Sequence, residues 1–131
     1  MTIAQSVVVD VIAHARECQP RECCGLLLGT SGDIVASVRA RNLAESASRF
    51  LIDPKSHIEA RRAARNQGME VVGFYHSHPH SQAYPSATDL AETNYAECVH
   101  LIVGFVDSNA EIRIFSYAGG DATELPLLQR A

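Results

Sequence analysis

Two histidines and an aspartate in the middle of the chain are spaced so that they could bind one metal ion. His76 and His78 continue a run of β-forming residues that begins at Val71. Because side chains alternate along a strand, both imidazoles project from the same face. Asp89 follows at the start of a predicted helix. Zinc accepts two imidazoles and one carboxylate, and catalytic zinc sites typically have three protein ligands and a water.

Each half of this motif also has an explanation that involves no metal. A His-x-His pair on a half-exposed strand can be incidental. Ser86 and Asp89, directly after Pro85, make an ordinary helix start, with Ser86 as the cap and Asp89 complementing the helix dipole. The complete spacing is harder to explain by structure alone: His76-x-His78, seven residues, Ser86, two residues, Asp89.

This spacing resembles the signature of the JAMM (MPN-plus) metalloprotease family, which is His-x-His, seven residues, Ser, two residues and Asp, with a glutamate far upstream. The match extends into the flanking sequences GFYHSHP and YPSATD, and to ECCGLLLG, which begins at Glu22. It covers nearly the whole chain, from about Val7 to Leu125. The resemblance implies one metalloprotease domain over residues 1–131 that binds one Zn²⁺ per chain.

The resemblance also implies a role for each residue of the motif. Glu22 matches the general base that takes a proton from water and returns it to the leaving amine. Ser86 matches the residue that donates to the developing oxyanion. The sequence by itself does not place Glu22 near the metal, and an exposed carboxylate after Pro20-Arg21 is the alternative. The residues that match the zinc ligands are His76, His78 and Asp89.

Two neighbouring polar residues lie outside the signature. Ser77 faces away from the ligands, so we expect it to fix the loop through a hydrogen bond rather than to act in catalysis. His80 is expected to be a loop histidine and not a fourth ligand. A fourth protein ligand would close the site, as in structural zinc sites.

The resemblance further implies a class of substrate. Members of the JAMM family cleave peptide or isopeptide bonds after the Gly-Gly tail of ubiquitin or ubiquitin-like proteins, and such a tail binds as an extended strand beside a sheet edge. This chain is similar to the small stand-alone prokaryotic members, which trim a sulfur-carrier precursor or release an amino acid such as cysteine from the carrier. Two alternatives stay open: a zinc peptidase with an unrelated protein substrate, and a non-catalytic MPN-type interaction scaffold.

Composition narrows the class of protein. The 131 residues are 47% hydrophobic with a net charge of −4, which gives no support for nucleic-acid binding. No apolar run approaches the roughly 18 residues of a membrane span, and the first residues lack the basic region of a signal peptide. The four cysteines form no Cys-x-x-Cys pair, so free thiols in a reducing cytoplasm are expected. We therefore expect a cytoplasmic protein without a nucleic-acid or membrane partner, and the oligomeric state stays open.

The elements that must position these residues follow from periodicity and turn signals. Hairpins at both ends favour a mostly antiparallel or mixed sheet with helices on its faces. The family resemblance implies a curved α/β (α+β) sheet with a helix on each side, of the cytidine-deaminase-like type. The second helix should cover a sheet face with Ile58 and its alanines, leaving His57 on its surface. Helices are predicted at 6–18, 54–67 and 86–96, and strands at 22–28, 34–42, 49–52, 71–78, 99–106, 110–117 and 123–125.

Overall fold

The computed structural model describes residues 1–93 and 95–131, and one curved mixed sheet of eight strands forms its centre. The strands are β1 (Thr2–Ala4), β2 (Cys24–Thr30), β3 (Asp33–Ala40), β4 (Glu70–His78), β5 (Val99–Val106), β6 (Asn109–Ser116), β7 (Thr123–Leu125) and β8 (Leu128–Arg130). The helices are α1 (Gln5–Cys18), α2 (Pro54–Asn66) and α3 (Ala87–Glu92), with a short 3-10 turn at Ala118–Gly120.

The strand order is β7-β6-β5-β4-β2-β3-β1-β8. The hairpins β2–β3 and β5–β6 are antiparallel, and so is the pairing of β2 with β4. β4 and β5 run parallel because the chain crosses over through α3 between them. The predicted mixed, mostly antiparallel sheet is therefore confirmed.

Alternating residues of the central strands divide the core into layers on the two faces of the sheet. On one face, Leu27 and Tyr75 pack in the cluster that receives α1. On the other, Leu26 and Phe74 pack with the buried side of α2. A helix on each side of the sheet was predicted, and the period-2 alternation of β2 and β4 explains it.

The second helix begins and ends as its sequence predicts. Asp53 caps it by accepting a hydrogen bond from the Lys55 backbone nitrogen at 2.9 Å, and Pro54 occupies the first turn. Gly68, with φ of +71°, ends it. Ile58 does not face the sheet as predicted, since it is 59% exposed. The small residues Ala60 and Ala64 make that contact instead, which lets α2 approach the strands closely.

One strand prediction is wrong, and two strands were not predicted. Residues 49–52 form no strand; only a single bridge joins Asn42 to Ile52, because Phe50 turns inward to stack on His76. The two short strands β1 and β8 were not predicted. They pair with each other in parallel at the sheet edge, and three-residue strands have too little alternation to be detected.

The third helix is shorter than the predicted 86–96. It ends at Glu92, and Thr93 is already extended with ψ of 134°. The predicted helical residue Asn94 lies outside the described residues. Tyr95 is turned toward the sheet, where its ring stacks on Phe74 with centroids 4.7 Å apart, so this tertiary contact replaces a further helical turn.

Within residues 1–93 and 95–131, every helix is too short or too polar to cross a bilayer.

Candidate metal centre

The strand β4 holds His76 and His78 rigidly because it is paired on both sides. His76 lies opposite Cys24 on β2 and opposite Ile102 on β5. Alternation along β4 puts both imidazoles on one face, as predicted. Ser77 points to the other side, where its hydroxyl accepts a hydrogen bond from the Cys23 backbone nitrogen at 2.8 Å. This contact ties β4 to the residue that follows Glu22.

Asp89 is positioned by a capping box at the start of α3. The Ser86 hydroxyl accepts from the Asp89 backbone nitrogen at 3.0 Å, and the Ser86 backbone nitrogen donates to Asp89 Oδ2 at 2.9 Å. The helix start that explained Ser86 and Asp89 without a metal is thus present. It also aims the same carboxylate oxygen at the two histidines.

Three atoms of His76, His78 and Asp89 form a nearly equilateral triangle, which we call the ligand triangle. His76 Nε2 lies 3.2 Å from His78 Nε2, and Asp89 Oδ2 lies 3.1 Å and 3.0 Å from these two atoms. All three residues are buried. A tetrahedral zinc with bonds of about 2.0–2.1 Å needs donor atoms roughly 3.3 Å apart, so the spacing and the donor types both fit zinc.

Supporting contacts fix the orientation of both imidazoles. His78 Nδ1 lies 3.0 Å from the Gln82 carbonyl oxygen, which makes Nδ1 the protonated nitrogen and leaves Nε2 free to bind a metal. The ring of His76 stacks on Phe50 with centroids 4.4 Å apart. Sequence reasoning missed both contacts. A backbone carbonyl leaves no trace in residue type, and Phe50 had been placed in a strand.

The electrostatics of the triangle favour an ionised carboxylate. Burial alone would raise the pKa of Asp89, but its hydrogen bonds with His76, His78 and the Ser86 backbone outweigh burial and hold the pKa well below its usual range. The carboxylate therefore stays negative at neutral pH. A negative oxygen beside two imidazole nitrogens is the charge arrangement that a divalent cation requires.

Glu22 is buried, which excludes the alternative of an exposed carboxylate. Its side chain is 4% exposed, and within the described chain its Oε1 has no hydrogen-bond partner. Burial raises the pKa of this carboxyl to about 8, with His78 lowering it and Asp89 raising it further. Its backbone is fixed on both sides, since its nitrogen donates to the Ser46 carbonyl at 2.7 Å and its carbonyl accepts from Asn42 at 3.1 Å.

Glu22, Ser86 and His78 line one cavity of about 200 Å³. Pro79 and the exposed His80 border the same cavity, and His80 lies outside the ligand triangle. The fold therefore brings the buried carboxyl of Glu22 and the hydroxyl of Ser86 to one side of the ligand triangle. Glu22 and Ser86 are far apart along the chain, since Glu22 lies just before β2 and Ser86 just before α3.

A family model and two curated relatives identify the class of protein. The model of the prokaryotic homologues of the JAB domain matches residues 4–117, and the chain belongs to this family. A desampylase from Haloferax volcanii is 34% identical in an alignment of 109 residues that covers 78% of each chain. A CysO-cysteine peptidase from Mycobacterium tuberculosis is 28% identical in an alignment of 130 residues that covers 97% of this chain and 89% of the relative.

Comparison with solved structures shows that the fold is also that of the JAB/MPN proteins. A JAB1/MPN domain protein from Archaeoglobus fulgidus superposes with a TM-score of 0.63 at 22% identity, over 98% of this chain and 99% of that chain. Together these matches confirm the family that the motif predicted and its curved mixed sheet. The family match and the named relatives also show that the protein is an enzyme of the JAMM-type peptidase and isopeptidase family.

Proposed function

We propose that the protein is a zinc-dependent metallopeptidase that hydrolyses the bond after the C-terminal Gly-Gly of a ubiquitin-like or sulfur-carrier protein. The observation that carries the proposal is the shared cavity of Glu22, Ser86 and His78 beside the ligand triangle. A base, a hydroxyl donor and a metal site on one cavity wall are the groups that amide hydrolysis requires. A non-catalytic scaffold has no need for a buried carboxyl there.

We assign His76, His78 and Asp89 as the ligands of one zinc ion. When bound, zinc polarises a carbonyl oxygen and lowers the pKa of water, which supplies a nucleophile at neutral pH. The set consists of two neutral imidazoles and one carboxylate, so the site keeps a net positive charge. With three protein ligands, it also keeps a position open for substrate.

Glu22 is the group that moves protons in this scheme. Its carboxylate takes a proton from the attacking water and afterwards gives it to the amine that leaves, so the carboxyl ends as it began. The pKa of Glu22 is about 8 without a bound metal ion. A cation bound nearby stabilises the carboxylate and so lowers this pKa toward 7. A carboxyl with a pKa near the working pH can both accept and return a proton.

Ser86 is the donor to the oxyanion that develops on the scissile carbonyl. Its oxygen already accepts a hydrogen bond from the Asp89 nitrogen at 3.0 Å. That bond fixes the position of the oxygen and leaves its own O–H free to donate into the cavity. A donor held in place before the reaction stabilises the transition state without reorganisation.

The substrate class is supported by the relatives and by the motif resemblance. One relative is named a desampylase and another a CysO-cysteine peptidase, and the JAMM family cleaves after Gly-Gly. We infer that this chain takes a small ubiquitin-like carrier as substrate, either as a precursor or as a conjugate. All four cysteines are free thiols in the structure, which supports a reducing cytoplasm as the place of reaction.

Intact-mass analysis tests the proposal. A ubiquitin-like carrier extended beyond Gly-Gly is incubated with the zinc-loaded wild type, with Glu22→Ala, or with chelator-treated enzyme. We expect the mass to fall to that of the carrier ending in Gly-Gly with the wild type only. Glu22→Ala should keep its zinc and lose activity by several orders of magnitude. More than a tenth of wild-type activity in Glu22→Ala would show that Glu22 is not the base.

A further inference from the structure

A loop at 43–51, between β3 and α2, contacts both the proposed base and one of the proposed metal ligands. We call it the bridging loop. In its first half, the Ser46 carbonyl accepts a hydrogen bond from the Glu22 nitrogen at 2.7 Å. In its second half, the ring of Phe50 stacks on His76, with centroids 4.4 Å apart. The positions of two proposed functional residues therefore depend on one loop.

Glu22 depends on the bridging loop because it lies outside the sheet. The pairing of β2 with its two neighbours begins at Cys24, so it does not include the peptide groups of Glu22. The Glu22 nitrogen bonds to Ser46, and the Glu22 carbonyl accepts from the Asn42 side chain at 3.1 Å. Buried backbone groups need partners, and here the loop and the residue before it supply them.

Asn42 directly precedes the bridging loop, and its side-chain amide makes four hydrogen bonds to the backbone. Its Nδ2 donates to the carbonyl oxygens of Glu22 at 3.1 Å and Arg49 at 3.3 Å. Its Oδ1 accepts from the nitrogens of Ala44 at 3.0 Å and Leu51 at 2.8 Å. Two donated and two accepted bonds are the full capacity of a side-chain amide. The Asn42 amide is therefore completely satisfied.

These bonds hold the bridging loop on both sides of its aromatic residue. Arg49 and Leu51 are the neighbours of Phe50, so the amide holds the backbone directly before and after the ring that stacks on His76. The same amide holds the backbone of the proposed base. A residue in this place must donate twice and accept twice, which an ionised carboxylate or a single hydroxyl cannot do.

We propose that Asn42 is a positioning residue, whose amide holds the bridging loop in the conformation that keeps Glu22 beside the ligand triangle and Phe50 against His76. This inference rests on the proposed function, in which Glu22 is the base and His76 is a zinc ligand. Asn42 does not line the cavity of Glu22 and Ser86, so it acts through these other residues.

Hydrogen exchange at the Glu22 amide tests the link to the base without substrate. Asn42→Ala removes all four bonds and adds no charge. In zinc-loaded protein we expect the Glu22 amide to exchange at least about tenfold faster than in the wild type, relative to the Leu27 amide in the middle of β2. An equal change at Glu22 and Leu27, or none at Glu22, would mean that Asn42 does not position the base, and the inference would be overturned.

Two further variants make the exchange measurement specific. Asn42→Asp keeps the size of the side chain and both accepted bonds, and it loses only the bonds to Glu22 and Arg49. It should show the same selective change at Glu22, including in the case that Asn42→Ala does not fold.

Asp33→Ala is the matched control, because Asp33 begins β3 and Asn42 lies just beyond its end. This variant removes hydrogen bonds from Thr2 at 2.7 Å and Arg130 at 3.0 Å without touching the bridging loop. The Glu22 amide should then exchange no faster, relative to Leu27, than in the wild type. A selective rise in Asp33→Ala equal to that in Asn42→Ala would overturn the inference.

Turnover shows the consequence for the base. A displaced base weakens proton transfer in the transition state and not the binding of substrate. We therefore expect Asn42→Ala to lower kcat at least about tenfold while KM changes by less than about threefold. Asp33→Ala should leave both constants at their wild-type values. A wild-type kcat in Asn42→Ala would overturn the inference.

Zinc affinity, measured by competition with a chelator, tests the link to His76. Phe50→Leu removes the stacked ring and should weaken zinc binding about fivefold. If Asn42 acts on His76 through Phe50, Asn42→Ala should weaken zinc binding in the wild type and not further in Phe50→Leu. Additive losses in the double variant, or wild-type affinity in both single variants, would overturn this link.

Exchange and turnover together distinguish failure of this inference from failure of the proposed function. If Asn42→Ala shows selective exchange at Glu22 but the wild type cleaves no carrier, Asn42 positions Glu22 and the proposed function alone is wrong. If the wild type cleaves the carrier and Asn42→Ala changes neither exchange nor kcat, the proposed function stands and the inference is overturned.

Discussion

Ser86 and Asp89 hold each other through two reciprocal hydrogen bonds, one from each backbone nitrogen to the other side chain, at 2.9 Å and 3.0 Å. The oxygen of Asp89 that accepts from Ser86 is the same Oδ2 that lies within 3.1 Å of both imidazole nitrogens. One capping box therefore fixes a proposed metal ligand and a proposed oxyanion donor together. The structural and the catalytic explanations of this motif describe the same atoms.

Substitutions of Ser86 can separate its two roles. Ser86→Ala removes the cap and the hydroxyl, so we expect a loss of about 1 kcal/mol in unfolding free energy and a fall in kcat of about 10²–10³. Ser86→Asn restores a good cap without a hydroxyl, so it should recover stability and not turnover. Urea unfolding and intact-mass kinetics on zinc-loaded protein give the two quantities. Near wild-type turnover in Ser86→Asn would show that the hydroxyl does not stabilise the transition state.

Removal of the metal should destabilise the protein. Binding that is specific to the folded state raises stability with ligand concentration, so a chelator should lower the Tm and added zinc should restore it. Metal analysis should give one zinc per chain for the wild type and little for Asp89→Ala. His80→Ala is the matched control, because His80 is exposed and outside the triangle, and it should retain full zinc. Unchanged zinc content in Asp89→Ala would show that the ligand set is wrong.

The sequence predicted that His76, His78 and Asp89 come together, because the spacing within each half of the motif is local. His76 and His78 are related by strand alternation, and Ser86 and Asp89 by one helical turn, so each pair follows from a short-range rule. Glu22 could be placed only by resemblance to a family. Its approach to His78 depends on the pairing of β2 with β4, a long-range contact that no local pattern encodes.

The parts that could not be predicted depend on tertiary contacts. Phe50 was predicted in a strand because its neighbours are β-formers, but its ring stacks on His76. Tyr95 was predicted in a helix, but it packs on Phe74. In each case burial of an aromatic ring against another element outweighed local propensity.

Gly104 holds the loop that orients His78, and its substitution should affect zinc binding from outside the ligand set. A Cβ on Gly104 would lie 2.2 Å from the Ala83 nitrogen and 2.5 Å from the Gln82 carbonyl carbon. The loop must shift, and with it the Gln82 oxygen that contacts His78 Nδ1. Loss of such a supporting contact typically costs 10- to 100-fold in metal affinity, and we expect a reduction of about this size in Gly104→Ala.

Gly32→Ala is the matched control for Gly104→Ala. Gly32 has φ of +82° and open space around its Cβ position, so the change strains the backbone by about 1 kcal/mol without touching the loop. Competition titration with a zinc chelator should therefore give wild-type affinity for Gly32→Ala and weaker affinity for Gly104→Ala. Equal affinities in the two variants would mean that the loop does not orient His78.

His14 should make the protein sensitive to mild acid. It is buried and lies 2.7 Å from the Tyr75 hydroxyl, and burial, aided by the Arg39 charge and opposed by Glu17, lowers its pKa to about 4. In the unfolded chain the pKa is about 6.5, so between these values the unfolded state binds a proton that the native state does not. The unfolding free energy should therefore fall as the pH decreases through this window, by about 1–2 kcal/mol at pH 5.

Urea unfolding of zinc-loaded protein at pH 7 and pH 5 measures this loss, and NMR titration should give His14 the low pKa directly. His14→Gln cannot titrate, so it should be less stable than the wild type at pH 7 and lose less stability on acidification. Groups common to both proteins, including Glu22 and the metal ligands, cancel in this comparison. An equal loss in wild type and His14→Gln would show that the acid sensitivity arises elsewhere, since only the imidazole distinguishes the two proteins.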